Sequence, residues 1–132
     1  MSSFLSRNAI FAVPDIQSED VFVPQWSGTV RVKGLTARER DQFEADILRG
    51  KGKNVEVVKQ NLRAKLVVRA AVDEAGNRLF GDGDIAFLGE KSAAAIDLLY
   101  GVASRLSGIS GDDEEELAKN SVSDQSADSP SA

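Results

Sequence analysis

The sequence predicts an α+β domain that is mainly helical, with an N-terminal β-hairpin, three to five helices after it, and a disordered acidic C-terminal tail. Three observations support this prediction. Residues 21–33 contain two β-rich runs separated by Ser27-Gly28, a two-residue turn. A capping box begins at Thr36. Apolar residues then recur at three- and four-residue spacing over residues 55–72, as in a helix.

The chain divides into three segments by composition. Residues 1–20 form an N-terminal arm, read as a brief helix or an extended stretch; residues 21–110 form the hairpin and helical domain; residues 111–132 form the acidic tail. Residues 1–110 hold 15 Lys/Arg and 14 Asp/Glu, whereas residues 111–132 hold one lysine and seven acids. A tail so poor in apolar residues cannot offset the entropy of ordering it, apart from a short frayed helix at residues 112–120.

The predicted hairpin has two different faces. A turn at Ser27-Gly28 pairs Val23 with Val32 and Gln25 with Val30. One face then carries Val21, Val23, Val30 and Val32, and the other carries Phe22, Pro24, Trp26, Arg31 and Lys33. The proline cannot donate a ladder hydrogen bond, so we expect the hairpin to lie at the edge of a sheet.

The remaining elements follow from apolar periodicity and turn residues. We expect helices at residues 37–49, 55–72 and 91–107, one helical turn at residues 84–88, and a loop at residues 73–83 whose Leu-Phe pair tucks against the core. The second helix is apolar on two sides, which predicts a central position. The Gly/Lys-rich stretch after the first helix predicts a flexible basic loop.

Composition narrows the classes of function. The chain has neither histidine nor cysteine, which excludes the usual catalytic triads, thiolate mechanisms and zinc sites. We therefore expect a binding or assembly protein without enzymatic activity, cofactor or metal. The first seven residues lack a long apolar core, which argues against a secretory signal, and no apolar run reaches the ~20 residues of a membrane span.

Three motif-like segments favour ordinary structural interpretations. Residues 50–53 resemble a phosphate loop, but the position that needs the first glycine is Ile47. Residues 73–84 have the length of an EF-hand loop, but Arg78 replaces its required glycine. Residues 49–69 are basic yet contain no aromatic residue, and with the acidic pI this argues against nucleic acid as a partner.

The order of segments is similar to that of a known family. A hairpin followed by a capping box occupies residues 23–44, and a predicted helix carries the sequence Asn-Leu-Arg-Ala-Lys-Leu-Val at residues 61–67. A turn-rich stretch follows at residues 72–80. The last segment, residues 84–95, reads Asp-Ile-Ala-Phe-Leu-Gly-Glu-Lys-Ser-Ala-Ala-Ala. This order resembles the tail assembly chaperones of long-tailed, non-contractile bacteriophages and related prophages. The resemblance covers residues 7–120.

The resemblance implies a non-enzymatic role in tail morphogenesis. Such chaperones act in the host cytoplasm, coat the tape measure protein, contact the major tail tube protein, self-associate, and are absent from the mature virion. The chain is similar to the shorter product of a frameshifted gene pair. Two alternatives stay open: a structural tail or head component retained in the virion, and a small phage regulator that binds a host protein or nucleic acid through its basic helix.

Candidate partner-binding residues come from the large apolar side chains with no evident role in central packing. They are Phe22 and Trp26 on one hairpin face, with Phe43 and Ile47 on the first predicted helix. Tryptophan is enriched at interface hot spots. The alternative for Trp26 is simple packing against that helix.

Overall fold

The computed structural model describes residues 3–109. Its helices and strands occur in the order α1 (Arg7–Ala12), β1 (Ser18–Val23), β2 (Gly28–Lys33), α2 (Ala37–Ile47), β3 (Leu48–Arg49), β4 (Glu56–Val57), α3 (Leu62–Ala70), β5 (Ala71–Val72), α4 (Ile85–Gly89) and α5 (Ala93–Leu106). Short 3-10 turns lie at Pro24–Trp26, Gly52–Asn54 and Asp82–Asp84. The predicted fold class is confirmed, because within residues 3–109 a hairpin precedes four helices. The predicted helix at residues 112–120 and the acidic tail lie outside the described residues.

Helix α3 forms the centre of the molecule. It buries seven of its nine residues and contacts α2, α4 and α5. This confirms the prediction that a helix apolar on two sides is central. The strands form a three-stranded antiparallel sheet in the order β1-β2-β5, and β3 pairs with β4 separately.

Helix α5 covers the inner face of the sheet. It contacts β1, β2 and α3, and Leu99 and Ala103 are fully buried. Two polar contacts join its C-terminal half to the hairpin region. Ser107 Oγ accepts a hydrogen bond from the amide of Leu35 at 2.9 Å, and Arg105 pairs with Glu19 at 2.7 Å. Gly34 comes so close to α5 that an added Cβ would lie 2.6 Å from the carbonyl oxygen of Leu106.

The hairpin turn is not where the sequence predicted it. Val23 pairs with Gly28 and Val21 with Val30, so the loop contains the four residues 24–27. Pro24 starts a 3-10 turn, and Ser27 closes it in the left-handed region at φ 51. The partner of Val23 is therefore displaced by four residues. An even displacement keeps each side chain on its predicted face, so the valines still share the inner face.

The predicted helix over residues 55–72 is shorter at both ends. Residues 56 and 57 instead form β4, where Val57 pairs with Leu48. The helix begins at Leu62, after Asn61 in the left-handed conformation at φ 57. Its last predicted turn unwinds into β5, which pairs with β2 through Ala71 and Val32. At the other end, three of the four residues 55–58 are valine, and β-branched residues favour strand where a neighbouring strand is available.

The basic loop after α2 is a hairpin connection over residues 50–55 that joins β3 to β4. Gly50 adopts φ +96, and an added Cβ would collide with the carbonyl oxygen of Asn54. Helices α2 and α5 match the ranges predicted for them, residues 37–49 and 91–107, more closely. The capping box of α2 is present, with Glu39 donating its amide to Thr36 Oγ1 at 3.1 Å and accepting from the Thr36 amide at 2.9 Å.

Candidate protein-binding face

The outer face of the three-stranded sheet is the face turned away from α5. Register pairs place Phe22 beside Thr29, Asp20 beside Arg31, and Arg31 beside Val72 on this face. Val23 and Val32 point the other way and are buried. The alternation of side chains along β1 and β2 therefore separates a core face from a face that remains available to a partner.

An ion pair forms the polar half of this face. Arg31 donates to both carboxylate oxygens of Asp20, with Nε 2.8 Å from Oδ1 and Nη2 3.3 Å from Oδ2. Its Nη1 reaches the carbonyl oxygen of Glu74 at 3.4 Å. The hydrogen bond from the guanidinium lowers the pKa of Asp20 from its ordinary value, so the pair is charged at neutral pH.

A shallow concavity of about 310 Å³ lies beside the ion pair. It is bounded by β1, β2, and the loop that follows β5, and Thr29, Val72 and Leu79 contribute to its walls. The loop is held in shape by Asp73, whose Oδ1 accepts the amides of Ala75 and Asn77, both at 2.9 Å. The arrangement offers apolar contact at a depression whose rim carries a fixed charge pair.

Phe22 is the large exposed aromatic on this face. Its side chain is 61% exposed, next to Thr29, which lines the concavity. Leu79 is 46% exposed on the loop side. The expectation that Leu79 and Phe80 both tuck against the core holds for Phe80, which is half-buried there, and is wrong for Leu79.

The structure does not bring the four predicted binding residues together. Phe22 lies on the outer face, whereas Trp26 lies in the hairpin loop, half-buried and packed against the core. Phe43 and Ile47 are each only 1% exposed. Their assignment to an exposed surface is therefore corrected: they are the large apolar side chains of α2 and anchor that helix against the body.

Sequence reasoning missed most of the exposed apolar residues. Within residues 3–109, the large apolar side chains that are at least 41% exposed are Phe4, Leu5, Ile10, Phe11, Val13, Ile16, Phe22, Leu79, Phe87 and Leu98. Six of these ten belong to the N-terminal arm. The signal was present in the apolar stretch before Pro14, but nothing in the sequence alone says whether such a stretch is covered.

The basic residues of segment 49–69 are divided among several elements, with Arg49 on β3 and Lys53 in the 3-10 turn before β4. The three on α3 all have partners. Arg69 is buried and paired with Asp46, Arg63 pairs with Asp97 at 2.6 Å, and Lys65 donates to the carbonyl oxygen of Asp46 at 3.3 Å. Among the described residues, no group of three or more carboxylates is arranged to hold a metal ion. None of the helices between residues 3 and 109 is long and apolar enough to cross a membrane.

Comparison with known proteins identifies no relative. No protein-family model, curated protein or solved structure matches the chain.

Proposed function

We propose that this protein is a non-enzymatic assembly chaperone that binds an extended helical client, the tape measure protein of a long phage tail, through the outer face of its sheet. The observation that carries the proposal is Phe22, 61% exposed beside a concavity on the one sheet face that α5 leaves uncovered. Exposed aromatic side chains next to a depression are typical anchors of protein interfaces.

The form of this face suits an elongated protein segment better than a small molecule. The concavity is shallow and is lined by charged as well as apolar residues, with the Asp20–Arg31 pair at the rim. A helix laid across it would place apolar residues against Phe22 and Leu79 and meet charge at the edge. Each such contact is small, so coverage of a long client requires many copies of the protein.

The identity of the client rests on the resemblance in segment order, and the major tail tube protein is the second partner that it implies. The site of action would then be the host cytoplasm, without retention in the virion. A chaperone of this kind needs a stable core with a restricted apolar surface, because a larger exposed surface would aggregate. The buried cluster around α3 supplies the stable core.

The test is co-purification of the full chain with a tape measure protein from the same genome. Phe22→Ala should reduce recovery of the client, since loss of an interface aromatic commonly weakens binding roughly tenfold or more. Phe87→Ala is the matched control, because Phe87 is 73% exposed on α4, away from the sheet. Circular dichroism should show both variants folded.

Equal recovery with Phe22→Ala and Phe87→Ala would contradict the proposed surface. Failure of the unaltered chain to bind any tape measure fragment would contradict the client itself. Mass spectrometry of purified virions completes the test, since detection of the chain at stoichiometric amounts would identify a structural tail component instead.

A further inference from the structure

A groove of about 290 Å³ opens between α3, α4 and the first turn of α5. It shares no lining residue with the concavity on the outer sheet face. Leu62, Leu88 and Ile96 line it and are each at least 91% buried, so they form an apolar base. Sites for drug-sized ligands usually start at about 300 Å³ and enclose most of the ligand. This groove is therefore better suited to one apolar side chain of a peptide segment.

The rim of the groove is basic. Its lining includes three cations, Lys59, Arg63 and Lys91, against one carboxylate, that of Asp97. Arg63 and Asp97 pair with each other at 2.6 Å. The two lysines are exposed, and neither forms an ion pair within residues 3–109. The charge of the groove therefore suits an apolar side chain that is accompanied by carboxylates.

The described structure ends on the face of α5 that leads to this groove. Gly108, at φ 71, ends the helix, and the Ile109 amide donates to the carbonyl oxygen of Ser104 at 2.8 Å. This contact turns the chain back over the last turn of α5. Ser104 follows Asp97 by seven positions and Ala93 by eleven, so all three lie on one stripe of the helix. Asp97 and Ala93 line the groove.

The chain that follows Ile109 is long enough to reach the groove. Ser104 and Ile96 are eight residues apart, which is about 12 Å along α5. The eight residues 110–117 span up to about 26 Å when extended. They include an unbroken run of five carboxylates at residues 112–116, and Leu117 is their large apolar residue. The reach therefore exceeds the distance along the helix by about a factor of two, which leaves room for a path over its surface.

We infer that residues 112–117 of the same chain, the acidic segment, dock in this groove. Leu117 lies against the apolar base, and the carboxylates before it face Lys59 and Lys91. Exposed charge pairs contribute little each. A short tether, however, holds the segment near the groove at an effective concentration in the millimolar range, so weak contacts suffice. The inference is independent of the proposed client, because the outer sheet face takes no part in it.

The test places a spin label on the full chain. The chain contains no cysteine, so Asn120→Cys provides one attachment site for a nitroxide, three residues beyond Leu117. At about 0.1 M salt the label should broaden the amide signals of Gly89 and Lys91. The broadening should largely disappear at about 1 M salt, because the Debye length falls from about 10 Å to about 3 Å. The amide signal of Thr29 on the outer sheet face should stay sharp.

Variants of the labelled chain separate the two parts of the contact. Leu117→Ser should lower the equilibrium constant for docking roughly tenfold or more. Lys59→Glu combined with Lys91→Glu reverses the charge of the rim and should remove the broadening. Lys51→Glu combined with Lys53→Glu is the matched control, since these lysines are exposed outside the groove. It changes the net charge equally and should leave the broadening in place. Circular dichroism should show all variants folded.

Three results would overturn the inference. The first is a labelled chain whose groove amides stay sharp at low salt. The second is broadening that either Leu117→Ser or the charge reversal at Lys59 and Lys91 leaves unchanged. The third comes from a mixture of spin-labelled chain with isotopically enriched chain that carries no label. Broadening of the enriched chain's groove signals in that mixture would place the acidic segment on a second copy instead of its own chain.

Discussion

Helices α1 and α3 are both short and rich in apolar residues, yet they have opposite surroundings. Helix α3 buries seven of its nine residues, whereas every residue of α1 is exposed. Composition does not distinguish them. The difference comes from the neighbours along the chain: α3 passes directly into β5 and is enclosed by α2, α4 and α5, whereas α1 is separated from the sheet by the Pro14 stretch. An apolar pattern shows that a helix needs a partner, but only topology shows whether the same domain provides it.

The largest expected effect on the free energy of unfolding comes from a substitution in the buried side of α3. Leu66 is fully buried, so Leu66→Ala removes packed methyl groups and leaves a cavity. We expect it to lower the free energy of unfolding by about 3 kcal/mol. Ile10→Ala in α1 shortens a side chain that is 50% exposed, so the free energy of unfolding should change little. Urea denaturation of both variants measures the contrast; a large loss with Ile10→Ala would show that the arm is part of the core.

The second effect concerns the buried charge of α3. Arg69 is 6% exposed, pairs with Asp46, and donates to the carbonyl oxygen of Lys65 at 2.9 Å. Asp46→Ala leaves that guanidinium without its carboxylate, which should cost about 2 kcal/mol of unfolding free energy.

The exposed pair Arg63–Asp97 is the control for this experiment, since its side chains are 60% and 57% exposed. Asp97→Ala should leave the midpoint of denaturation close to that of the unaltered chain, as expected for a solvated pair. If Asp46→Ala and Asp97→Ala lower the free energy of unfolding equally, burial of Arg69 is not the cause of the loss with Asp46→Ala.

A smaller effect compares two helix caps of the same chemistry. Thr36 Oγ1 accepts the amide of Glu39, and Ser6 Oγ accepts the amide of Ala9, each at 3.1 Å. Thr36→Ala should lower the free energy of unfolding by about 1 kcal/mol, because α2 folds with the body. Ser6→Ala should leave it unchanged at concentrations where the chain is monomeric. Chemical denaturation followed by Trp26 fluorescence measures both variants. A loss of unfolding free energy with Ser6→Ala would show that α1 unfolds together with the rest of the domain.

The smallest effect is a pH dependence at the same cap. Burial raises the pKa of Glu39, but hydrogen bonds from Lys33 and Thr36 outweigh it and hold the pKa below its ordinary value of 4.5. A lowered folded-state pKa gives stability that is present above pH 4.5 and is lost as pH falls through the folded value. The stability difference between the unaltered chain and Glu39→Gln should therefore shrink below about pH 4.5. A stability difference that stays constant down to pH 3 would show that the ionisation of Glu39 does not cause it.

Local signals in the sequence predicted much of the fold. The capping box at Thr36 needs only residues three apart, and the stripe through Leu62 and Leu66 needs only helical periodicity, so both are confirmed. The hairpin turn and the start of α3 depend on less visible features. Pro24 starts a 3-10 turn in place of a two-residue turn, and α3 begins only after β4 has ended and Asn61 has adopted a left-handed conformation.

The candidate site was less predictable than the fold. Phe22 could be placed on the outer face because strand alternation survives an even register displacement. Phe43 and Ile47 could have been assigned to the core, since an amphipathic α2 has no other large side chains to bury. Leu79 and the concavity beside it depend on how a loop returns to the sheet, and no local pattern specifies that path.

The contacts between α5 and the hairpin also have a consequence for the order of events during synthesis. Glu19 meets Arg105 across 86 positions of sequence, and Leu35 meets Ser107 across 72. A chain growing at about 5–20 residues per second completes its hairpin several seconds before α5 leaves the ribosome. During that interval Val23 and Val32 have no helix over them. Docking of α5 therefore closes loops of 72 to 86 positions late in synthesis, which makes the nascent protein slower to fold and more exposed to aggregation than its helical content alone suggests.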